Sequence, residues 1–313
     1  MNIKRYTIHE KKNWDSFVSK AKNGHFFFYR DYMEYHKDRF QDYSLMVYDD
    51  KNRLIGIFPA NVSGDEVISH EGLTFGGIVS GGDMTTSKML QVLQCVIDYL
   101  RIKGVKQLIY KSMPVIYNTY PSDEILYALF RQRAILYRRD VSFSIYLPQR
   151  LKYQEQRRRA VCRGYRYKYN LQQSTKFDEY MQLVNTVLEK YHGTHSVHTA
   201  DELRLLSNRF HNNIKLYTAE LDDKIIAGTV VFQQAGVVHT QYLANSDYGR
   251  KTGALDCLLD WLITEVYKDL VWFDFGIANE QQGWYLNEGL AAQKEGFGAR
   301  AVVHDFYQIK LDV

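Results

Sequence analysis

Val237-Val238-His239-Thr240-Gln241-Tyr242-Leu243, then Asn245-Ser246-Asp247-Tyr248-Gly249-Arg250-Lys251-Thr252-Gly253, then Ala254 to Val266 form the stretch on which the fold turns. The first piece reads as a buried strand and the second as a loop. The third reads as a helix, with Leu255, Leu258, Leu259, Leu262 and Val266 at helical spacing. A strand, a glycine-containing loop and a helix make a phosphate-binding arrangement. The free N–H groups and positive dipole end of the helix receive an anion, and glycine permits close approach of a ligand. Arg250 and Lys251 add positive charge at that mouth. An ordinary strand–helix connection with two solvated cations fits the same residues, so the rest of the chain must decide.

Upstream of the stretch lie helix Lys176 to Tyr191, helix Ala200 to Phe210, strand Lys215 to Leu221, the turn Asp222-Asp223 and strand Ile225 to Gln233. Downstream lie strand Val271 to Phe275, a helix from about Trp284 to Glu295 and strand Arg300 to Ile309. The first half follows the same order. Helices Trp14 to Ala21 and Tyr32 to Phe40 precede strands Tyr43 to Tyr48 and Leu54 to Val62, and Val67 to Ser69 continues the meander. Strand Thr74 to Val79, the loop Ser80-Gly81-Gly82-Asp83 and a helix from Thr86 to Lys103 follow, with Gly104 as its stop. Strand Gln107 to Tyr110, helix Ser122 to Arg131 and closing strands from Ala134 to Leu147 complete the half. The pattern occurs twice, and an internal duplication with its boundary near Pro148 is the simplest reading.

Composition agrees with this size and class. The 313 residues suit two domains of roughly 150 residues each. A hydrophobic content of 45% with 24% charged residues is that of a globular chain with a sizeable core. Cys95, Cys162 and Cys257 stand far apart with no CxxC pair, so neither a disulfide framework nor a zinc site is readable. Met1-Asn2-Ile3-Lys4-Arg5-Tyr6 lacks the apolar region of a signal peptide, and no run approaches about 18 apolar residues. A cytoplasmic, reducing location with no transmembrane segment is the expectation. The net charge of +4 is too mild to announce a nucleic-acid binder, and DNA is not an expected partner.

The charge is concentrated at the junction. From Arg150 to Asn170, eight cations (Arg150, Lys152, Arg157, Arg158, Arg159, Arg163, Arg166, Lys168) face the single acid Glu155, interleaved with Tyr153, Tyr165, Tyr167 and Tyr169. A helix over 150–164 is expected here. Such a run is either a solvated helix face or the footprint of a polyanion, a nucleotide phosphate or an RNA backbone.

The second half resembles a GNAT-type (Gcn5-related) acyltransferase domain, and the whole chain resembles the tandem-GNAT proteins of the Fem aminoacyl-transferase superfamily. The strand Val238 to Leu243 followed by Arg250-Lys251-Thr252-Gly253-Ala254, the strand ending Trp272-Phe273-Asp274-Phe275-Gly276, the segment Leu286 to Arg300 containing Lys294-Glu295-Gly296-Phe297-Gly298, and the basic run Arg157 to Arg163 carry the resemblance. It implies an α/β (α+β) fold of two tandem GNAT-like domains, each a mixed, mostly antiparallel central sheet flanked by helices. Residues 1–148 would be a degenerate copy and 149–313 the acyltransferase domain. In such proteins a Gln/Arg-x-x-Gly-x-Gly/Ala loop holds the pyrophosphate of acyl-CoA. Arg250, Gly253 and Ala254 follow that signature, whereas Leu255 replaces its last small residue. The resemblance thus places the donor, acyl-CoA such as acetyl-CoA, against Leu243, Ala244, Arg250, Lys251, Thr252, Gly253 and Ala254.

Amide formation from a thioester or ester needs a neutral amine, a stabilised oxyanion and a protonated leaving group. The resemblance implies that a splayed strand offers backbone N–H groups to the acyl carbonyl, which selects Gln241 to Ala244. Tyr242 and Tyr285 are candidates to protonate the leaving group, and Asp274 and Glu288 to take a proton from the incoming ammonium. His192, His195 and His198 lie in a glycine-containing loop, without the fixed spacing of a metal site, and with Gln241 are candidates for acceptor binding. No metal is expected. His239 reads as a core histidine and Trp284 as a core residue. The leading expectation is an N-acyltransferase moving an acyl group from acyl-CoA to an amine of a small molecule or sugar-type acceptor. The alternatives are a Fem-like transferase using aminoacyl-tRNA on a peptidoglycan precursor, with tRNA as partner, and a binding protein that has lost the chemistry.

Overall fold

The computed structural model describes residues 1–311, without the side chain of His192. The chain forms two compact units, Met1–Asp140 together with the end of the chain from Val303, and Val141–Val302. The division falls at Asp140/Val141, where the sequence places it near Pro148. The last strand counts with the first unit because Phe306 to Lys310 pair with Lys111 to Gln107 of that unit.

In the first unit, β1 (Glu66–Ile68) and β2 (Gln107–Lys111) run parallel, and α1 (Thr86–Ile102) connects them. The helix forms where expected. Thr85 caps it, and Met89, Val92, Leu93, Val96, Ile97 and Leu100 bury one stripe. β1 continues the antiparallel meander by pairing with Asn61–Ser63, and it is also one half of a strand–helix–strand crossover. Past Ile68 the pair is stitched shut. Ser69 N–H donates to Ile109 O at 2.9 Å, and Lys111 N–H donates to Ser69 Oγ at 2.7 Å. The buried Lys111 ammonium then donates to the carbonyls of His70, Glu71 and Leu73.

The second unit repeats this arrangement. It contains part of β3 (Ile135–Tyr146), then α2 (Glu155–Arg166), β4 (Asn170–Ser174), α3 (Phe177–His192), α4 (Ala200–Arg209), β5 (Ile214–Leu221), β6 (Lys224–Gln234) and β7 (Val237–Asn245). There follow α5 (Asp247–Thr252), α6 (Ala254–Trp261), β8 (Trp272–Ile277), the short pair β9 (Asn279–Glu280) and β10 (Tyr285–Leu286), α7 (Glu288–Gly296) and the start of β11 (Arg300–Lys310). Within the unit the strand order is β4-β5-β6-β7-β8-β3, antiparallel except where β7 and β8 run side by side. Asp222 and Asp223, both with positive φ, make the two-residue turn between β5 and β6. Val238, Phe273 and Phe275 pack against Leu255, Leu258, Leu259 and Leu262, which closes the core under α6.

Two local expectations are corrected. Residues 247–252 are helical rather than a loop: Ser246 Oγ accepts from Gly249 N–H at 3.0 Å, an N-cap that nucleates α5. The helix expected from Trp284 begins only at Glu288, capped by Asn287. Gln281, Gln282 and Gly283 all have positive φ, and they turn the chain into the β9–β10 hairpin instead.

Candidate active site

β7 and β8 face each other only at Val237/Trp272, Val238/Phe273 and His239/Asp274. Beyond that pair β7 continues to Asn245 with no strand partner on that side among the described residues, so the two parallel strands open into a wedge at their carboxyl ends, the place where α/β sheets commonly take ligands. Two irregularities shape the opening. In β7, Gln241 is the extra residue of a bulge, since Val230 faces Tyr242 while Val231 faces Thr240. In β8, the register against β3 slips between Asp274 and Ile277. Gly276 there has φ +75, and a Cβ at this position would lie 3.0 Å from His239 Cε1, so both backbone shape and space call for glycine.

His239 and Asp274 occupy the apex. His239 Nδ1 lies 2.6 Å from Asp274 Oδ2. The other carboxylate oxygen accepts from Ser142 Oγ at 2.6 Å and from Ser144 Oγ at 2.8 Å, both from β3. Asp274 is 0% exposed and His239 keeps 16% of its side-chain surface in solvent. An ionised carboxylate only accepts, so Nδ1 carries the proton and Nε2 presents a lone pair. The buried acid thus fixes the tautomer and orientation of the imidazole.

A buried cation supports the dyad. Lys294, from α7 and 4% exposed, donates to Gly276 O at 2.9 Å and Ile277 O at 2.6 Å, anchoring the end of β8. Burial lowers its pKa to about 8, with the charge of Asp274 acting in the opposite direction.

Of the expected catalytic residues, Asp274 lies where the two strands part, with its carboxylate on His239. His239, expected in the core, is largely buried and hydrogen-bonded to Asp274, with part of its side chain reaching solvent. Tyr242 meets His198, the best placed of the expected acceptor-binding histidines: its hydroxyl accepts from His198 N–H at 3.2 Å and lies 2.8 Å from His198 Nδ1. Burial pushes the Tyr242 pKa up. The Tyr180 hydroxyl lies 3.0 Å from the carbonyls of Gly228 and Tyr242, fixing the strand just past the bulge. His195 is exposed, and the side chain of His192 lies outside the described residues. Tyr285 and Glu288 stand in solvent on the hairpin and on the first turn of α7, and Trp284, expected in the core, is 86% exposed. Ser142, Ser144 and Lys294 have no place among the sequence-derived candidates. The serines leave one signal, a Ser-x-Ser spacing that puts two hydroxyls on one face of a strand.

The expected donor loop divides in two. Arg250 and Lys251 are exposed on α5, with the Arg250 guanidinium 4.5 Å over the Tyr191 ring. Thr252, Gly253, Ala254 and the start of α6 are buried. Gly253, with φ +81, turns α5 into α6, and a Cβ there would lie 2.4 Å from Ala160 O of α2. Asp256, in the first turn of α6, pairs with Arg157. The start of α6 is thus approached by α2 at Gly253 and carries its own carboxylate, paired with Arg157. Leu243 and Ala244 lie on the open reach of β7 as expected, with Ala244 buried. Among the described residues no group of three or more His, Cys, Asp or Glu is placed to hold a metal.

Residues 149–283, which include the opened pair of parallel strands, match the acetyltransferase (GNAT) domain family. Over the whole chain the fold is shared with solved structures of such two-unit proteins. The chain is similar to FemX at 9% identity, covering 99% of this chain and 97% of that one with a TM-score of 0.69. The C-terminal domain of a putative lysylphosphatidylglycerol synthetase from Agrobacterium fabrum is 11% identical, with 97% and 92% covered and a TM-score of 0.64. A tandem GNAT protein from the clavulanic acid biosynthesis pathway is 10% identical, with 100% and 99% covered and a TM-score of 0.52. No curated protein sequence matches the chain.

Proposed function

We propose that the second unit transfers an acyl group from an activated ester or thioester to a primary amine, with His239 as general base. The observation that carries this reading is the His239–Asp274 pair at the point where β7 and β8 part. An amine enters as its ammonium, and Nε2 of His239 takes the proton, directly or through water. The free amine attacks the acyl carbonyl, and backbone N–H groups of the open β7 edge between Gln241 and Ala244 face the developing oxyanion. On collapse of the tetrahedral intermediate the carbon–oxygen or carbon–sulfur bond breaks, the His239 proton goes to the leaving group, and the freed imidazole takes the excess proton from the new amide nitrogen and passes it to water. Positioning supplies most of the acceleration, as no covalent intermediate is needed.

Acyl-CoA is the donor that the GNAT domain match supports, and the exposed Arg250 and Lys251 are the cations available to its phosphates. A second reading, an aminoacyl-tRNA donor, is favoured by two observations. The start of α6 is approached by α2 at Gly253, and Arg163, Arg166 and Lys168 stand exposed beside Tyr165 and Tyr167. Thermal shift with acetyl-CoA and with aminoacyl-tRNA separates the two, because a ligand that binds only the folded state raises the midpoint. Stabilisation by coenzyme A supports the first reading. Salt-sensitive stabilisation by tRNA alone supports the second. Amide product from neither donor with any primary amine would reject acyl transfer.

A further inference from the structure

One buried hydroxyl lies beside the open strand without a part in the proton transfers. α3 buries Phe177, Tyr180, Met181 and Val184 at i, i+3, i+4 and i+7, and Tyr180, 0% exposed, alone of the four carries a hydroxyl. Its ring reaches the strand pair because residue 228 of β6 is glycine: a Cβ there would lie 2.6 Å from Tyr180 Cε2. The hydroxyl then stands 3.0 Å from Gly228 O on β6 and 3.0 Å from Tyr242 O on β7. Burial pushes the phenol pKa well up, while the N–H groups of Ala244 and Val230 act on the same oxygen in the opposite direction. The group therefore stays a neutral O–H donor, and the acceptors within its reach are backbone carbonyls.

Tyr242 O belongs to the peptide that carries the Leu243 N–H. A trans peptide is planar and points its C=O and N–H in opposite directions. With Tyr242 O held toward Tyr180 and β6, the Leu243 N–H points away from β6, to the side on which β7 has no strand partner among the described residues. That side is the wedge, just past the bulge at Gln241. A hydrogen bond accepted by a C=O also polarises its own peptide and strengthens the N–H as a donor. Building on the acyltransferase reading, we propose that Tyr180 is a positioning residue, whose hydrogen bond to Tyr242 O fixes the peptide plane that presents the Leu243 N–H to the oxyanion of the tetrahedral intermediate. Of the N–H groups between Gln241 and Ala244, that of Leu243 is then the donor set for the oxyanion, since the Ala244 N–H is turned to Tyr180. Tyr180, wholly buried, touches neither substrate, and Gly228 is the residue that admits it to the strands.

Y180F removes the hydroxyl and keeps the ring. In steady-state transfer assays of the full chain, with acetyl-CoA or aminoacyl-tRNA as donor and a primary amine as acceptor, its kcat should fall about tenfold to a hundredfold, part of the loss that follows removal of an oxyanion donor. KM for both substrates should stay nearly unchanged, the mark of an interaction made only in the transition state. The pH–rate profile should keep its wild-type shape, because His239 is untouched. G228A, which displaces the ring and keeps the hydroxyl, should show the same pattern. In the resting protein, with isotope-labelled leucine, the Leu243 amide resonance should move in Y180F while those of the leucines in β5 stay in place. Wild-type kcat in Y180F, a loss carried by KM, or an unmoved Leu243 resonance would overturn the proposal. Amide product at equal kcat from wild type and Y180F upholds acyl transfer and sinks the role of Tyr180. A Leu243 resonance that moves in Y180F, beside a wild type that acylates no amine from either donor, upholds the hold of Tyr180 on that peptide and sinks acyl transfer.

Discussion

His239 and Asp274 are the last residues at which β7 and β8 face each other, and they are joined there by a 2.6 Å hydrogen bond. The pair at which the ladder ends is thus also the pair to which the proposed chemistry is assigned. The first unit provides the contrast. Its β1 and β2 also pair in parallel over three residues, but Ser69 and Lys111 close the gap that His239 and Asp274 leave open.

His239→Gln removes the base and leaves the strands paired. Transfer should fall by about 10²–10⁴-fold in kcat, with KM for either substrate nearly unchanged. Asp274→Asn should also lower kcat, because an amide N–H pointed at Nδ1 favours the wrong tautomer. A pH–rate profile distinguishes the two: the Asn variant should keep a titrating base and the Gln variant should lose it.

Arg250→Glu tests the donor side. It should weaken acyl-CoA binding without lowering the unfolding midpoint, since Arg250 is exposed. Unchanged affinity, read by calorimetry, would remove α5 from the donor site. Gly253→Ala should act differently. A side chain at φ +81, meeting Ala160 O, should cost about 1–3 kcal/mol of stability in urea unfolding.

Lys294 gives a pH signature. Its folded pKa is about 8 against an ordinary 10.5. Between those values the unfolded chain holds a proton that the folded chain has released, so this group makes stability rise with pH across the window. The slope is at most about 1.4 kcal/mol per pH unit. Wild-type stability minus that of Lys294→Met should therefore increase from pH 8 to pH 10 in urea midpoints. A flat or falling difference would show that the lysine is not held as a buried, discouraged cation.

Much of this was legible in the sequence, and the failures have physical causes. Strand Val237 to Leu243, the apolar stripe of the following helix and Phe273-Asp274-Phe275-Gly276 all carry local periodicity, so their elements and their order could be read directly. His239 looked like core because period-2 alternation says which face a residue takes, not what stands opposite. Its partner lies 35 residues away on a parallel strand. Gly253 reads from the sequence as a backbone open to close approach, and the α2 backbone at Ala160 makes such an approach. Trp284 fell into helical spacing with the residues after it. Gly283 was the available warning, and the positive φ values of Gln281 and Gln282 could not be anticipated from residue type.

The most direct measurement of the central claim is amide formation from acetyl-CoA or aminoacyl-tRNA with a panel of primary amines, followed by mass spectrometry, for wild type beside His239→Gln at matched folded concentration. The expected result is an N-acylated product from the wild type, with a rate at least about a hundredfold lower in the variant. Equal product rates in the two proteins would contradict the assignment of His239 as the base, and no product from either donor in the wild type would contradict acyl transfer itself.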